Sequence, residues 1–289
     1  NGIKNGRYYQ WESNGNKELD GYLLNGKNDG RKRGYRNGKI YFIENYKNGK
    51  LNGLATYNTL DGKKDREGNY KDGKKEGLWV ERFRSDGEPK KLELMYKNDK
   101  PDGLWKSWYE SGELEREGNF KNGENEGKWI HYHDNKNKKW EGIYEDGVLN
   151  GEVLRYGKGG KLESKEIFVG GKQKGYYCYY DEDGQKLTDG YLKDGKENGE
   201  KVTYFEGKVH FSETFKNGKR NGLSKYYNLD GIVDREGIYK NGKRGGKWIF
   251  YYQNGNKKWE GNYKGDIVCG ELIQYREDGT LESKENFID

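Results

Sequence analysis

Apolar positions along this chain follow the two-residue alternation of strands, not the 3.6-residue period of helices. Segments such as Gly127-Lys128-Trp129-Ile130-His131-Tyr132 and Glu141-Gly142-Ile143-Tyr144 are short runs bounded by Gly, Asn and Asp. A Gly opens such a run at 6, 30, 53, 77, 103, 127, 151, 175, 199, 222, 246 and 270, at intervals of 23 to 26 residues. Four residues before each of these after the first stands a second turn position: Gly26, Gly49, Gly73, Asp99, Gly123, Gly147, Gly171, Gly195, Gly218, Gly242 and Asp266. Three residues earlier again stands an aromatic residue or Leu, as at Leu23, Tyr46, Tyr70, Tyr96, Phe120 and Tyr144. Each unit therefore reads as two strands. The turn between them carries pairs such as Asn14-Gly15, Asp61-Gly62, Asp183-Gly184 or Asn254-Gly255, which tolerate positive φ at both central positions and favour tight hairpins.

No interval is long enough for a crossover helix, so consecutive strands must pair antiparallel. The expected fold is all-β: an elongated tandem β-hairpin repeat array forming a single-layer antiparallel twisted sheet. Residues 1–289 read as one array of about eleven and a half 23–26-residue repeats, with 127–166 duplicated at 246–285. Roughly 23 strands at ~4.8 Å would extend about 110 Å. A two-residue turn at Asn122-Gly123 or Asn241-Gly242 sets a register in which glycines face each other, as Gly68 with Gly77 and Gly118 with Gly127. Tyr70 and Trp79 would then flank such a pair and lie over its bare backbone, giving glycine a packing reason inside strands. The opposite face carries Val80, Ile130, Leu154, Cys178, Val202, Ile249 and Ile273, mostly followed two residues later by Tyr. Two faces that are each half apolar and half charged suit one exposed layer better than a sandwich.

Composition excludes a thick aliphatic core. Only 30% of residues are hydrophobic against 36% charged, and the 26 Tyr, 9 Phe and 8 Trp outweigh large aliphatics. The 55 Lys and Arg exceed the 49 Asp and Glu by only 6, interspersed from end to end. That balance gives no nucleic-acid footprint, and no apolar run approaches the ~18 residues of a transmembrane segment.

The pattern [Tyr/Phe]-x-[Asn/Asp]-Gly-Lys-x-x-Gly-x-Trp-x-x-Tyr, carried best by Tyr70 to Trp79 and Tyr239 to Trp248, resembles the variant MORN repeat of YwqK-like bacterial proteins. Units opening at Gly30 and Gly199 depart from it, with Lys32 and Lys201 in place of Trp and one residue fewer; a bulge or bend is expected there. The resemblance implies an extended hairpin sheet used for protein or surface binding, without catalytic residues. Aromatic-glycine hairpins also occur in choline-binding wall repeats, but their consecutive Trp-Tyr-Tyr signature is missing here.

Candidate chemistry is sparse. His131 and His133, two apart on one strand with Asp134 nearby, could begin a metal site, but the duplicated unit has Phe250 and Tyr252 there, so aromatic packing accounts for both. Cys178 and Cys269 are some ~35 Å apart by strand spacing, beyond disulfide reach. Neither a catalytic residue nor a cofactor or metal site is expected. Trp79, Trp105 and Trp129, with Tyr70, Tyr96 and Phe120, form a candidate binding strip, unless each Trp only covers glycine backbone. The expected partner is a protein, with carbohydrate as the alternative. Three readings stand open: a bacterial envelope or secreted adhesion scaffold, a cytoplasmic antitoxin or immunity protein, and a carbohydrate or wall-binding module.

Overall fold

A two-residue turn with positive φ at both central residues closes a hairpin whose twist matches that of its strands. Such a turn joins every repeat to the next: Asn25-Gly26, Asn48-Gly49, Asp72-Gly73, Asn122-Gly123 and Asn241-Gly242 all have positive φ at both positions. The computed structural model describes residues 2–85, 87 and 89–287. Among these, 27 strands and no helix occur, and every strand pairs antiparallel with its sequence neighbour wherever a pairing is described. The chain divides into two units, Asn1–Val148 and Leu149–Asp289. In the first, the meander runs from Gly6–Trp11 paired with Lys17–Leu24 to Glu124–Tyr132 paired with Lys138–Glu145. In the second it continues through Leu162–Val169 and Lys172–Tyr180 to Ile267–Tyr275 paired with Leu281–Phe287. Each unit is an open antiparallel sheet.

The turns inside the repeats differ from the expectation. In Thr59–Lys63 the amide of Gly62 donates to the carbonyl of Thr59 at 3.0 Å and Thr59 donates to Lys63 at 2.8 Å. Gly62 has φ +87 and Asp61 is not left-handed, so this longer turn uses one left-handed glycine and not a pair. The units opening at Gly30 and Gly199 are a residue shorter because a two-residue turn replaces the longer one. Asn37-Gly38 and Glu206-Gly207 have positive φ at both positions. The missing residue lies in the turn.

The glycine register is also corrected. Next to the turn it holds, with Tyr70 opposite Lys75 and Asn69 opposite Glu76, but Gly68 then pairs with Trp79 and not with Gly77. A bulge at Gly77-Leu78 intervenes. Gly77 has φ +72, and it pairs on its other side with Tyr96 of its own repeat. All twelve opening glycines have positive φ. Gly53 faces Tyr70, Gly103 faces Phe120, Gly127 faces Tyr144 and Gly246 faces Tyr263 in the same way. The opening glycine is thus a conformational requirement of the bulge, and only the other glycine has the packing role.

That packing follows a size rule across the ladder. A Cβ on Gly68 would stand 2.2 Å from Cδ2 of Trp79, on Gly118 2.2 Å from Trp129, and on Gly237 2.1 Å from Trp248. In two units the sizes are exchanged, with a large first residue and a small second one. Glu44 precedes buried Ala55, and Glu213 pairs with buried Ser224. The carboxylate that fills the space accepts hydroxyls: Tyr46 and Tyr57 donate to Glu44 at 2.8 and 3.0 Å, and Tyr226 donates to Glu213 at 2.6 Å. Burial, and then hydrogen bonding, raise the Tyr57 and Tyr226 hydroxyls well above the ordinary phenol.

On the other face, acids opposite the Val and Ile positions are clamped by lysines and tyrosines. Glu117 pairs with Ile130, takes Lys106 at 3.1 Å and accepts the Tyr132 hydroxyl at 2.7 Å. Glu260 sits between Lys247 at 3.0 Å and Lys257 at 2.7 Å, and Glu236 accepts Tyr251 at 2.8 Å. Burial works against the Glu260 carboxylate, but the hydrogen bonds from Lys257 and Lys247 outweigh it and hold its pKa below the ordinary glutamate.

Two stability experiments follow. Gly68→Ala drives a methyl into the Trp79 ring and should cost about 3 kcal/mol or more, the upper range for overpacking. Gly77→Ala meets nothing within 4 Å and should cost only the ~1–2 kcal/mol of left-handed backbone. Trp79→Ala added to Gly68→Ala should cost less than the sum of the two single changes. Denaturant unfolding of the four proteins measures this; equal costs for the two glycines would contradict the assignment.

The second concerns His131, whose ring lies 4.8 Å from that of Trp140 at a 40° tilt, in the place where Phe250 stacks on Trp259 at 3.9 Å. Burial, and then Arg116, push the His131 imidazole below its ordinary 6.5, partly offset by Glu115. The folded state therefore resists the proton that the unfolded chain accepts. Its contribution is constant above about pH 6.5 and diminishes as pH falls from there through the lowered folded value. Between about pH 7.5 and 5.5 the unfolding midpoint should fall further in the native protein than in His131→Phe. Identical pH slopes would refute the linkage.

Candidate functional site

The Trp face of the first unit is built from strand alternation plus the bulge. Gly68, Tyr70, Trp79, Leu94, Tyr96, Trp105, Gly118, Phe120 and Trp129 share it, because each is an even step from its neighbour or lies opposite it in the ladder. The six predicted strip residues are brought together here. Tyr70 meets Trp79 edge-on at 5.0 Å, and Trp79 meets Tyr96 at 6.4 Å. Trp105 meets Phe120 at 6.5 Å and Trp129 at 5.2 Å, and Phe120 meets Trp129 at 5.2 Å. Lys75 adds its ammonium over Trp79 at 4.4 Å and Tyr96 at 4.7 Å, an arrangement attractive through the ring quadrupoles.

The three tryptophans are not equivalent. Trp79 is 4% exposed and Trp129 6%. Each lies flat on a glycine of the preceding strand and donates its indole Nε1 to the carbonyl one residue further on, Asn69 at 3.1 Å and Asn119 at 3.2 Å. Trp248 repeats this in the second unit, 1% exposed, over Gly237 with its Nε1 on Ile238 at 3.1 Å. Such rings have their face and their donor already occupied.

Trp105 has neither. The residue before it in the ladder is Leu94, itself buried between Trp79 and Trp105. Gly118 on its other side is already covered by Trp129. Trp105 is left half-buried, and among the described residues its Nε1 has no hydrogen-bond acceptor. Beside it opens a hollow lined by Phe83, Leu92, Trp105, Ser107, Trp108 and Arg116. The hollow exists because Ser107 is small at a position filled elsewhere by His131 or Phe250. Ser107 donates its hydroxyl to Glu115 at 3.1 Å, and Arg116 pairs with the same Glu115 at 3.0 Å. The site offers aromatic surface, one unused N–H and a charged rim.

The other candidates separate. The strand Glu124–Tyr132 ends before His133, whose amide closes the following turn on Asn137 at 2.8 Å, so His131 and His133 do not share a strand face. Among the described residues no group of three or more His, Cys, Asp and Glu stands together as metal ligands. Cys178 is a buried free thiol and Cys269 a half-buried one.

Two surfaces escaped the sequence reading. Leu54, Leu78 and Leu104 are exposed on the face opposite the Trp row; each directly follows an opening glycine, a signal readable once the bulge is known. The second is a group of arginines and aromatics in the first two repeats, on that same opposite face, lining one open hollow.

The family described as MORN repeat variant matches residues 101–122 and 244–264. The first stretch runs through Trp105 and Phe120, and the second through Trp248 and Tyr263. No curated protein matches the chain. Among solved structures, the chain is similar to one described as the crystal structure of TcdB2-TccC3. Identity there is 11%, over 97% of this chain and 20% of that one, with a TM-score of 0.20. A second is the Photorhabdus luminescens Tc holotoxin pore with the mutation TccC3-D651A, at 10% identity over 94% of this chain and 20% of that one, TM-score 0.18. The chain thus spans about a fifth of the length of these structures. The two family matches, set in a sheet of tandem hairpins, are consistent with a MORN-type repeat protein.

Proposed function

We propose that this chain is a non-enzymatic repeat scaffold that binds a protein partner, with Trp105 as the anchor of its candidate strip. The observation that carries the reading is the contrast along one row. Trp79 and Trp129 are buried and hydrogen-bonded, whereas Trp105 is only half-buried, with an unused indole N–H beside an aromatic hollow. Interface anchors are enriched in Trp and Arg that fill such hollows. Tyr70, Tyr96, Phe120, Trp79 and Trp129 then serve as the rigid frame that holds Trp105 in place, which reduces the ordering cost of association. An envelope or secreted setting of the kind expected from the resemblance suits an adhesive role. No helix among the described residues is long and apolar enough to cross a membrane.

The test separates frame from anchor. Trp129→Ala should cost about 3–5 kcal/mol of stability, as for other buried aromatic truncations, and disturb mainly its own and adjacent repeats, since repeat stability is summed locally. Trp105→Ala should cost clearly less, yet weaken the partner by about 2 kcal/mol or more. Cross-linking capture with the native chain supplies the partner, and its affinity for each variant is then measured with denaturant unfolding alongside. Unchanged affinity in Trp105→Ala would overturn the assignment.

A further inference from the structure

The first two repeats carry a second surface on the face opposite the Trp row. Tyr8 lies over Gly21 on the Trp side, so Arg7, Tyr9, Asp20 and Tyr22 point the other way. Asp20 pairs with Arg33, while Arg31 lies two residues before Arg33 on the same strand. Arg7, Tyr9, Lys17, Tyr22, Arg31 and Arg33 line one open hollow. Elsewhere on this face an acid is clamped by lysine and tyrosine in near balance. Here four cations meet two acids, and both acids are engaged. Asp20 accepts the Tyr35 hydroxyl at 2.7 Å and pairs with Lys17 at 3.6 Å. Asp29 accepts the Asn48 amide at 3.0 Å. Arg33 is held by Tyr35 and Asp20, which raise its guanidinium above the ordinary value. Arg7 and Arg31 are exposed, and no ion pair or hydrogen bond among the described residues involves their side chains.

Aromatic surface adjoins these cations. Tyr9 and Tyr22 are exposed, and Trp11 is 58% exposed with its ring 5.7 Å from that of Tyr9, tilted by 35°. Lys17 stands 5.2 Å over Tyr9 and 5.5 Å over Tyr35. Unlike Trp79 and Trp129, these exposed rings cover no glycine, although Lys17 stands over one face of Tyr9. Guanidinium groups bind carboxylates with paired N–H bonds, and flat exposed rings accept the C–H faces of sugars by dispersion. Arg7, Tyr9, Tyr22 and Arg31 share one face of the sheet, so the contacts they offer are made by side chains. Two neighbouring exposed rings, Tyr9 and Trp11, beside two guanidinium groups match the flat ring faces and fixed carboxylates of an acidic oligosaccharide, whereas an acidic peptide carries its carboxylates on flexible chains with no ring face between them.

We propose that Arg7, Arg31, Tyr9, Tyr22 and Trp11 form a binding site for an acidic oligosaccharide, its carboxylates on the guanidinium groups and its sugar rings on the aromatic faces. The site is separate from the Trp105 hollow and stands independently of the scaffold reading. The experiment titrates the full chain with an oligomer of galacturonic acid, with the neutral galactose oligomer of equal length, and with a polyglutamate peptide, by calorimetry at low and at moderate salt. Saturable binding of the galacturonate oligomer is expected, weakened by salt and at least about tenfold tighter than the neutral one. Arg7→Ala with Arg31→Ala, and separately Trp11→Ala, should each weaken it about tenfold or more, while Trp105→Ala leaves it unchanged. These exposed positions leave the ladder intact, and circular dichroism checks that each variant remains folded. Absence of saturable binding, or an arginine double variant within twofold of native, would overturn the proposal. So would polyglutamate binding as tightly as galacturonate, which would assign the surface to acidic peptides.

Discussion

The rest of the structure depends on the left-handed glycine at the start of each repeat. A chain of L-residues avoids positive φ at roughly 1–2 kcal/mol per position, yet all twelve opening glycines adopt it. Each does so opposite the aromatic residue or Leu near the end of the second strand of its own repeat, as Gly77 faces Tyr96 and Gly103 faces Phe120. The bulge made possible there shifts the register by two residues and brings Trp79 opposite Gly68. Without it, two glycines would face each other and the indole would have no backbone to lie on.

From that shift comes a core made across strands and not between layers. Trp79 on Gly68, Trp129 on Gly118 and Trp248 on Gly237 fill one face, and Glu44 with Ala55 or Glu213 with Ser224 fill it by exchanging large for small. The carboxylates in this exchange accept tyrosine hydroxyls, which offsets their partial desolvation, and Glu213 also pairs with Arg220 at 3.2 Å. On the opposite face, Lys, Glu and Tyr clamps such as Lys106, Glu117 and Tyr132 cover the Val and Ile positions with their aliphatic stems and rings. A chain with few large aliphatics can thus hold a sheet together with aromatic and amphipathic side chains.

Function, on the readings proposed above, arises where this covering rule is interrupted. Leu94 denies Trp105 a glycine to cover, and Ser107 leaves a gap at its side. In the first repeats, cations outnumber the acids that would clamp them, and the rings of Tyr9 and Trp11 lie over no backbone. Both places are exceptions within a regular frame, and the regularity makes each exception conspicuous.

Taken by itself, the amino-acid sequence determined the all-β class, the two-residue turns between successive hairpins and the side-by-side placement of Tyr70, Trp79, Tyr96, Trp105, Phe120 and Trp129. These rest on local chemistry: Gly and Asn accept positive φ, and alternation assigns each residue a face. Only the tertiary structure decided which glycine serves conformation and which serves packing, because the bulge changes the register between strands and leaves no mark within either. It also decided that Trp79 and Trp129 close over the backbone while Trp105 does not. That outcome depends on the residue eleven positions earlier, Gly68 and Gly118 against Leu94, which becomes a neighbour only after the strands have paired. The same holds for His133, placed with His131 by sequence spacing and separated from it by the turn that ends the strand.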